Sequence, residues 1–202
     1  MINLSNYINE FKSTFPLLAE ELPWDITGAA PLIVTKQIKA LGSDYNIREN
    51  IAIHKDAIVE EHVILKGPII IGPNSFVGSH AYLRGGVFMG EKVNIGPGCE
   101  VKSSFIFSRS ALAHFNFIGD SIIGSQVNME AGAVIANHYN ERKDKEIQIL
   151  IDNIVNSTGI EKFGAVIGDQ SKIGANAVLS PGTVLQPKTI VKRLELIEQI
   201  KN

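Results

Sequence analysis

The chain has 202 residues, room for one domain of good size or for one domain and a small appendage. It is 45% hydrophobic and 20% charged with a net charge of −2, so nothing in bulk attracts it to nucleic acid or an anionic membrane. One cysteine makes neither an internal disulfide nor a zinc cluster, no apolar run reaches bilayer-spanning length, and "MINLSNYINEFKSTF" lacks the apolar core of a leader, so a soluble cytoplasmic protein is expected.

Residues 1–45 read as a helical N-terminal segment. Its first part is broken at Pro16 and Pro23, and "PLIVTKQIKALG" forms an amphipathic helix closed by Gly42. From Ile47 the pattern changes. Ile47, Ile53, Val59, Leu65, Ile71, Val77, Leu83, Met89, Ile95, Val101, Phe107 and Ala113 each lie six residues after the last, and the beat resumes at Ile167, Ile173, Leu179 and Leu185. Glycine often follows, as at Gly72, Gly78, Gly90, Gly96, Gly168 and Gly174. A period of six fits neither a helix nor a plain alternating strand. It fits a parallel β-helix, in which each hexad is a short strand plus a turn and three hexads close one coil. The aliphatic residue then points inward, coils stack about 4.7–4.9 Å apart, and Cys99 is a small core or corner residue. The pattern resembles the hexapeptide-repeat family, which implies a mainly β, single-stranded left-handed parallel β-helix over residues 46–187.

Residues one coil apart form vertical columns. One reads Arg48, Lys66, Arg84, Lys102, either a solvated edge partly neutralised by Glu100 and Glu60 or Glu61, or an anion site strongest at Arg84 and Lys102. His114 occupies the same repeat slot on another column, above Glu60, Gly78 and Gly96. It is either a corner histidine bonded to a carbonyl or a functional group. The beat fails beside it: Ala113 to Ile123 is ten residues where two hexads need twelve, and such irregularities re-aim side chains. A second interruption, an inserted loop over about 138–164, opens with Arg142, Lys143 and Lys145. It continues through "EIQILIDNIVN", which suggests a small ordered hairpin, with its isoleucines set against another subunit. At the end, "TIVKRLELIEQIK" places Ile190, Leu194 and Ile197 on one face of a C-terminal helix over 188–202. Helices at both termini then cap the open ends of the stack.

"HAYLRGG", "CEVKSS", "LAHFNFIGD", "QVNMEAG" and "IANHYNE" extend the resemblance. In order and nearly in spacing they are similar to "NAYLR", "VEVKK", "AGHLTYLGD", "NVNIGAG" and "CNYDG" of the acetyltransferase half of bifunctional sugar-1-phosphate nucleotidylyltransferase/acetyltransferases, over residues 60–185. That half acetylates the amine of glucosamine-1-phosphate with acetyl-CoA. The resemblance implies that His114 is the general base, oriented by Asn137. It implies that Arg84 and Lys102 hold the sugar phosphate, with Glu100, Phe117, Asn128 and Lys143 as further substrate contacts. It also gives Ala131, Gly174 and Ala175 to the acyl donor, and implies a homotrimer with sites between subunits. An imidazole suits an amine that must shed a proton, and backbone N–H groups suit the developing oxyanion. No metal is called for, since His54, His62, His80, His114 and His138 offer no obvious converging set of three.

Three features differ from the family pattern. Phe117 stands where the family has an aromatic hydroxyl, Glu130 where it has glycine, and a helix is expected where it has final repeats along the pantetheine channel. No nucleotidylyltransferase motif occurs in these residues, so the chain is not expected to make the sugar nucleotide by itself. The expected function is acetyl-CoA-dependent acetylation of an amino sugar phosphate or related nucleotide sugar. The alternative is a non-catalytic sugar-phosphate-binding or assembly protein on the same fold.

Overall fold

The computed structural model describes residues 2–200, and three parallel ladders around one shared interior make up its body. The first face stacks Ile58–Val59, Phe76–Val77, Asn94–Ile95, Ala111–Leu112, Asn128–Met129, Lys172–Ile173 and Ile190–Val191. The second starts at Ile64–Lys66, takes in the first parts of Tyr82–Met89 and Glu100–Ile106, and continues through Phe117–Gly119, Val134–Ile135, Val178–Leu179 and Leu196–Ile197. The third runs from Ile51–His54 through Ile69–Ile71, the ends of the same two long strands, Ile122–Ile123 and Ala165–Ile167 to Thr183–Leu185. This is the expected mainly β parallel solenoid. Ile71, Val77, Leu83, Met89, Ile95 and Val101 are fully buried along its axis. Cys99 lies with them, and burial pushes its thiol pKa up, as befits a core residue rather than a nucleophile.

The beat breaks elsewhere than expected. The inward series runs Val101, Ile106, Leu112, Ile118, Ile123, Met129, Ile135, while Phe107 turns outward. The two short steps therefore span residues 102–106 and 119–123, at the corner between the second and third faces, and neither follows His114 directly. Gly85 and Gly86, both at positive φ, allow an irregularity between Arg84 and Val87. The next two coils turn the same corner through Ser103 and Asp120, also at positive φ. Coils of eighteen residues (Arg84 to Lys102) thereby become coils of seventeen (Glu100 to Phe117).

A second core lies outside the third face. Its outward residues Ile70, Phe88, Phe105, Ile122, Val166 and Val184 stack in register. The N-terminal pieces Leu4–Asn6, Phe11–Thr14, Pro16–Leu18, Pro23–Gly28 and Ala30–Ile38 cover them. Phe15 meets Phe88 and Phe105 edge-on at 4.9 and 5.4 Å. The expected helix ending before Gly42 is present as Ala30–Ile38, and Pro16 and Pro23 each begin a helical turn, where a missing N–H costs nothing. A Cβ on Gly86 would fall 2.5 Å from the Ala30 carbonyl carbon, so this helix docks on bare backbone. The helical segment thus lies along a flank of the solenoid and not, as expected, over its open end.

Two boundaries also move. Tyr45–Arg48 pairs antiparallel with Ile51–His54 across a turn at Glu49 and Asn50, so the solenoid begins at Ile51 and Ile47 is half exposed. At the other end no C-terminal helix forms among the described residues; Ile190–Val191 and Leu196–Ile197 are two more solenoid strands. Val191 and Ile197 continue the six-residue beat from Leu185 into the core, while Ile190 and Leu194 face solvent and Leu194 has a φ of 60° that a helix excludes. Residues 201 and 202 of the expected helix lie outside the described residues. The insertion leaves after Ile135 and returns at Ala165, with the expected hairpin at Gln148–Ile151 and Ile154–Ser157. Its Ile147 and Ile149 bury against this chain's own second core, which corrects their assignment to another subunit.

Candidate functional site

Strand alternation puts two outward columns on the second face. One contains Ile64, Tyr82, Glu100, Phe117, Val134 and Val178; the other contains Lys66, Arg84, Lys102 and Gly119. Arg48 is not in the cation column. It belongs to the antiparallel strand at the solenoid's edge, is almost fully exposed, and pairs with Glu49 at 3.6 Å. The remaining cations are each engaged. Arg84 donates from Nε and Nη2 to Glu100 Oε1 at 2.9 and 2.7 Å, and Lys66 and Arg84 flank the Tyr82 ring at 5.2 and 5.5 Å. Lys102 Nζ lies 2.7 Å from both carboxylate oxygens of Asp120, whose side chain is only 8% exposed, and Asn137 donates from Nδ2 to the same carboxylate. Gly119 makes room for this arrangement: a Cβ there would meet the Asn137 amide at 2.7 Å and Phe117 Cζ at 3.0 Å. Five expected residues therefore share one patch, namely Arg84, Glu100, Lys102, Phe117 and Asn137.

The others are distributed around it. His114 is exposed at the corner between the first and second faces, where its carbonyl accepts the Gly132 N–H at 2.8 Å. The seventeen-residue coil shifts it by one place from the expected column, so it stacks between Pro97 and Ala131; Ala113 and Glu130 continue the Glu60–Gly78–Gly96 column. Above it, the Glu130 carboxylate accepts two bonds from Arg193 at 2.7 and 2.8 Å and one from the Ala175 N–H at 2.8 Å. Those contacts, Arg193 foremost, draw its pKa from 4.5 to about 2. The Gly174 N–H donates to the Val191 carbonyl, and the Ala131 carbonyl accepts from Asn176. A cleft of about 480 Å³ joins this corner to Asn128 on the first face, with Lys172, Lys192 and Arg193 on its walls. Lys143 is exposed on the insertion, while its neighbour Arg142 lies 3.4 Å from the Tyr139 ring centre and pairs with Glu198.

Three participants were not anticipated. Asp120 ends the quoted "LAHFNFIGD" and was readable as a carboxylate within one coil of Lys102. Tyr82 stands two residues before Arg84, hence on the same face. Arg193 was hidden by the expected helix; extending the hexad count places it one coil beyond Ala175 and on the Glu130 corner.

Fold and patch together define a hexapeptide-repeat solenoid with a charged, open second face. The chain belongs to the family described as the GMPPB C-terminal domain, whose model matches residues 65–194. Among curated proteins it is 32% identical over 149 residues to a bifunctional sugar-1-phosphate nucleotidylyltransferase/acetyltransferase of Sulfurisphaera tokodaii, covering 68% of this chain and 35% of that one. It is 32% identical over 175 residues to the bifunctional protein GlmU of Methanococcus vannielii, covering 84% and 41%. The chain thus spans well under half the length of these relatives. A hexapeptide transferase family protein of Anaplasma phagocytophilum aligns over 71% of this chain and 70% of its own at 19% identity, with a TM-score of 0.40. No described helix is long and apolar enough to cross a membrane.

Proposed function

We propose that the chain is an acetyltransferase that moves the acetyl group of acetyl-CoA to the amine of an amino sugar phosphate or related nucleotide sugar, with His114 as general base. The observation that carries this reading is the second-face patch, where Arg84, Glu100, Lys102, Phe117 and Asn137 meet on one open surface. The relatives' printed activities support it. In the reaction the acceptor nitrogen bonds to the acetyl carbon as the carbon–sulfur bond breaks. The imidazole of His114 takes the ammonium proton and returns one to the departing thiolate. Arg84 and Lys102 fix the phosphate and so aim the amine. Asn128 lies on the first face and Lys102 at the far edge of the second, so a site that uses both draws on a neighbouring copy, which the homotrimer implied by the resemblance would supply. The partners are then a small-molecule sugar phosphate and acetyl-CoA.

A specific observation favours a second reading, a non-catalytic sugar-phosphate-binding or assembly protein. Phe117 offers no hydroxyl, and Glu130 sets a carboxylate, held by Arg193 and the Ala175 N–H, beside the residues assigned to the acyl donor. A panel of amino sugar phosphates incubated with acetyl-CoA, read as free thiol, decides between the two. Acceptor-dependent thiol release supports the enzyme. No release, with sugar-phosphate binding intact and no saturable acetyl-CoA binding by calorimetry, supports the binder.

A further inference from the structure

We propose that Asp120 is a positioning residue that holds Lys102 and the Asn137 amide as one unit and fastens that unit to the root of the insertion. The unit is read from geometry; its service to the acceptor rests on the acetyltransferase reading.

A carboxylate this deeply buried is costly unless its charge is paired and its lone pairs are filled. Asp120 meets both conditions with residues of the patch: the Lys102 ammonium spans its two oxygens, and the Asn137 amide takes a further lone pair. Its backbone is equally committed. The Asp120 N–H donates to the Lys102 carbonyl at 2.9 Å, and its own carbonyl accepts from Gly164 at 2.9 Å. Phe163 donates to the Asn137 carbonyl at 3.0 Å, so both ends of the insertion close on this one corner. Asp120 has a φ of 47°, a left-handed conformation that aspartate tolerates better than most residues, and this lets one position serve as both corner and anchor.

Two consequences follow for the patch. Because one N–H of the Asn137 side-chain amide is committed to Asp120, its other N–H and its side-chain carbonyl oxygen are the groups left for a ligand. Because the Lys102 ammonium has three donors and the carboxylate takes at most two, at least one remains for an anionic group, from a fixed position instead of a mobile stem. Glu100 does not play the same part: it is one third exposed and binds Arg84 alone.

The test is Asp120→Asn in the full chain. Its amide would turn a donor toward Lys102 or Asn137, so the unit comes apart while the volume is kept. The expected result is a KM for the acceptor sugar phosphate raised about tenfold and a kcat lowered by a similar factor, with the KM for acetyl-CoA within about twofold of the parent. A readout independent of activity accompanies it. Lys102, freed from its carboxylate, reacts about fivefold faster with an amine-directed label located by peptide mapping. If Asp120→Asn does not fold, Asp120→Glu displaces the carboxylate by one methylene and should give the same kinetic split at smaller size. Unchanged Lys102 labelling overturns the proposal whatever the kinetics show. A loss that raises both KM values together and tracks a fall in Tm also overturns it, leaving a structural role alone. Faster labelling in a chain that transfers acetyl to no acceptor, with weaker calorimetric binding of glucosamine-1-phosphate, keeps Asp120 in its role and rejects the acetyltransferase reading.

Discussion

The second and third faces of the solenoid use the same hexad, yet one is bare and charged and the other lies beneath a second apolar core. Both send an aliphatic residue inward at every coil; they differ in the residue just before it. On the third face that residue is Ile70, Phe88, Phe105, Ile122, Val166 or Val184, and the N-terminal helices and the insertion close over it. On the second face it is Ile64, Tyr82, Glu100, Phe117, Val134 or Val178, uncovered and, over its middle coils, flanked by Lys66, Arg84 and Lys102. The inward positions make the fold, and the outward ones decide whether a face is sealed or left open. Both regimes meet at one corner, where Gly86 accepts the Ala30–Ile38 helix and Asp120 secures the insertion.

Substitutions can break that comparison. The largest stability effect is expected on the sealed face. Phe105→Ala removes a fully buried ring in contact with Phe15 and should lower unfolding free energy by about 3–5 kcal/mol in urea titration. Arg84→Ala on the open face breaks an ion pair whose partners are each about one third exposed, and should cost less than about 1 kcal/mol in the same assay. Equal costs would mean that the outer layer is not an integral core. The smallest effect is at the exposed corner. Glu130 has its pKa depressed to about 2, so its contribution is complete above the carboxyl's ordinary 4.5 and is lost as pH falls through about 2. The Tm difference between the parent and Glu130→Gln should accordingly be constant near neutrality and close between those values. A difference as large at pH 2 as at neutrality contradicts the Arg193 pairing.

Much of this was legible in the residues. Sixfold recurrence of aliphatic residues gave the solenoid, and the motif run gave Arg84, Glu100, Lys102, Phe117 and Asn137, which do converge. The errors share one physical source. A beat of six marks the inward positions but is blind to corner length, so one residue lost at Ser103 moved His114 off its expected column. Counting from Phe107, an outward residue of the second core, misplaced the break for the same reason. At the C-terminus, Ile190, Leu194 and Ile197 suit a helical face as well as a hexad. Val191 and Ile197 in phase with Leu185 carried the deciding signal. The ordinary-looking outward Phe88 and Phe105 already announced a covered face, but the period of six alone gives no sign of what covers it.

The central claim is that the open face and its corner perform acetyl transfer through His114. Its most direct test is thiol release from acetyl-CoA by His114→Ala with the acceptor that the parent chain uses best. Because His114 is exposed, Tm and the circular dichroism spectrum should be unchanged, and the rate should fall by about 10²–10⁴. A variant with the parent's rate would contradict the account.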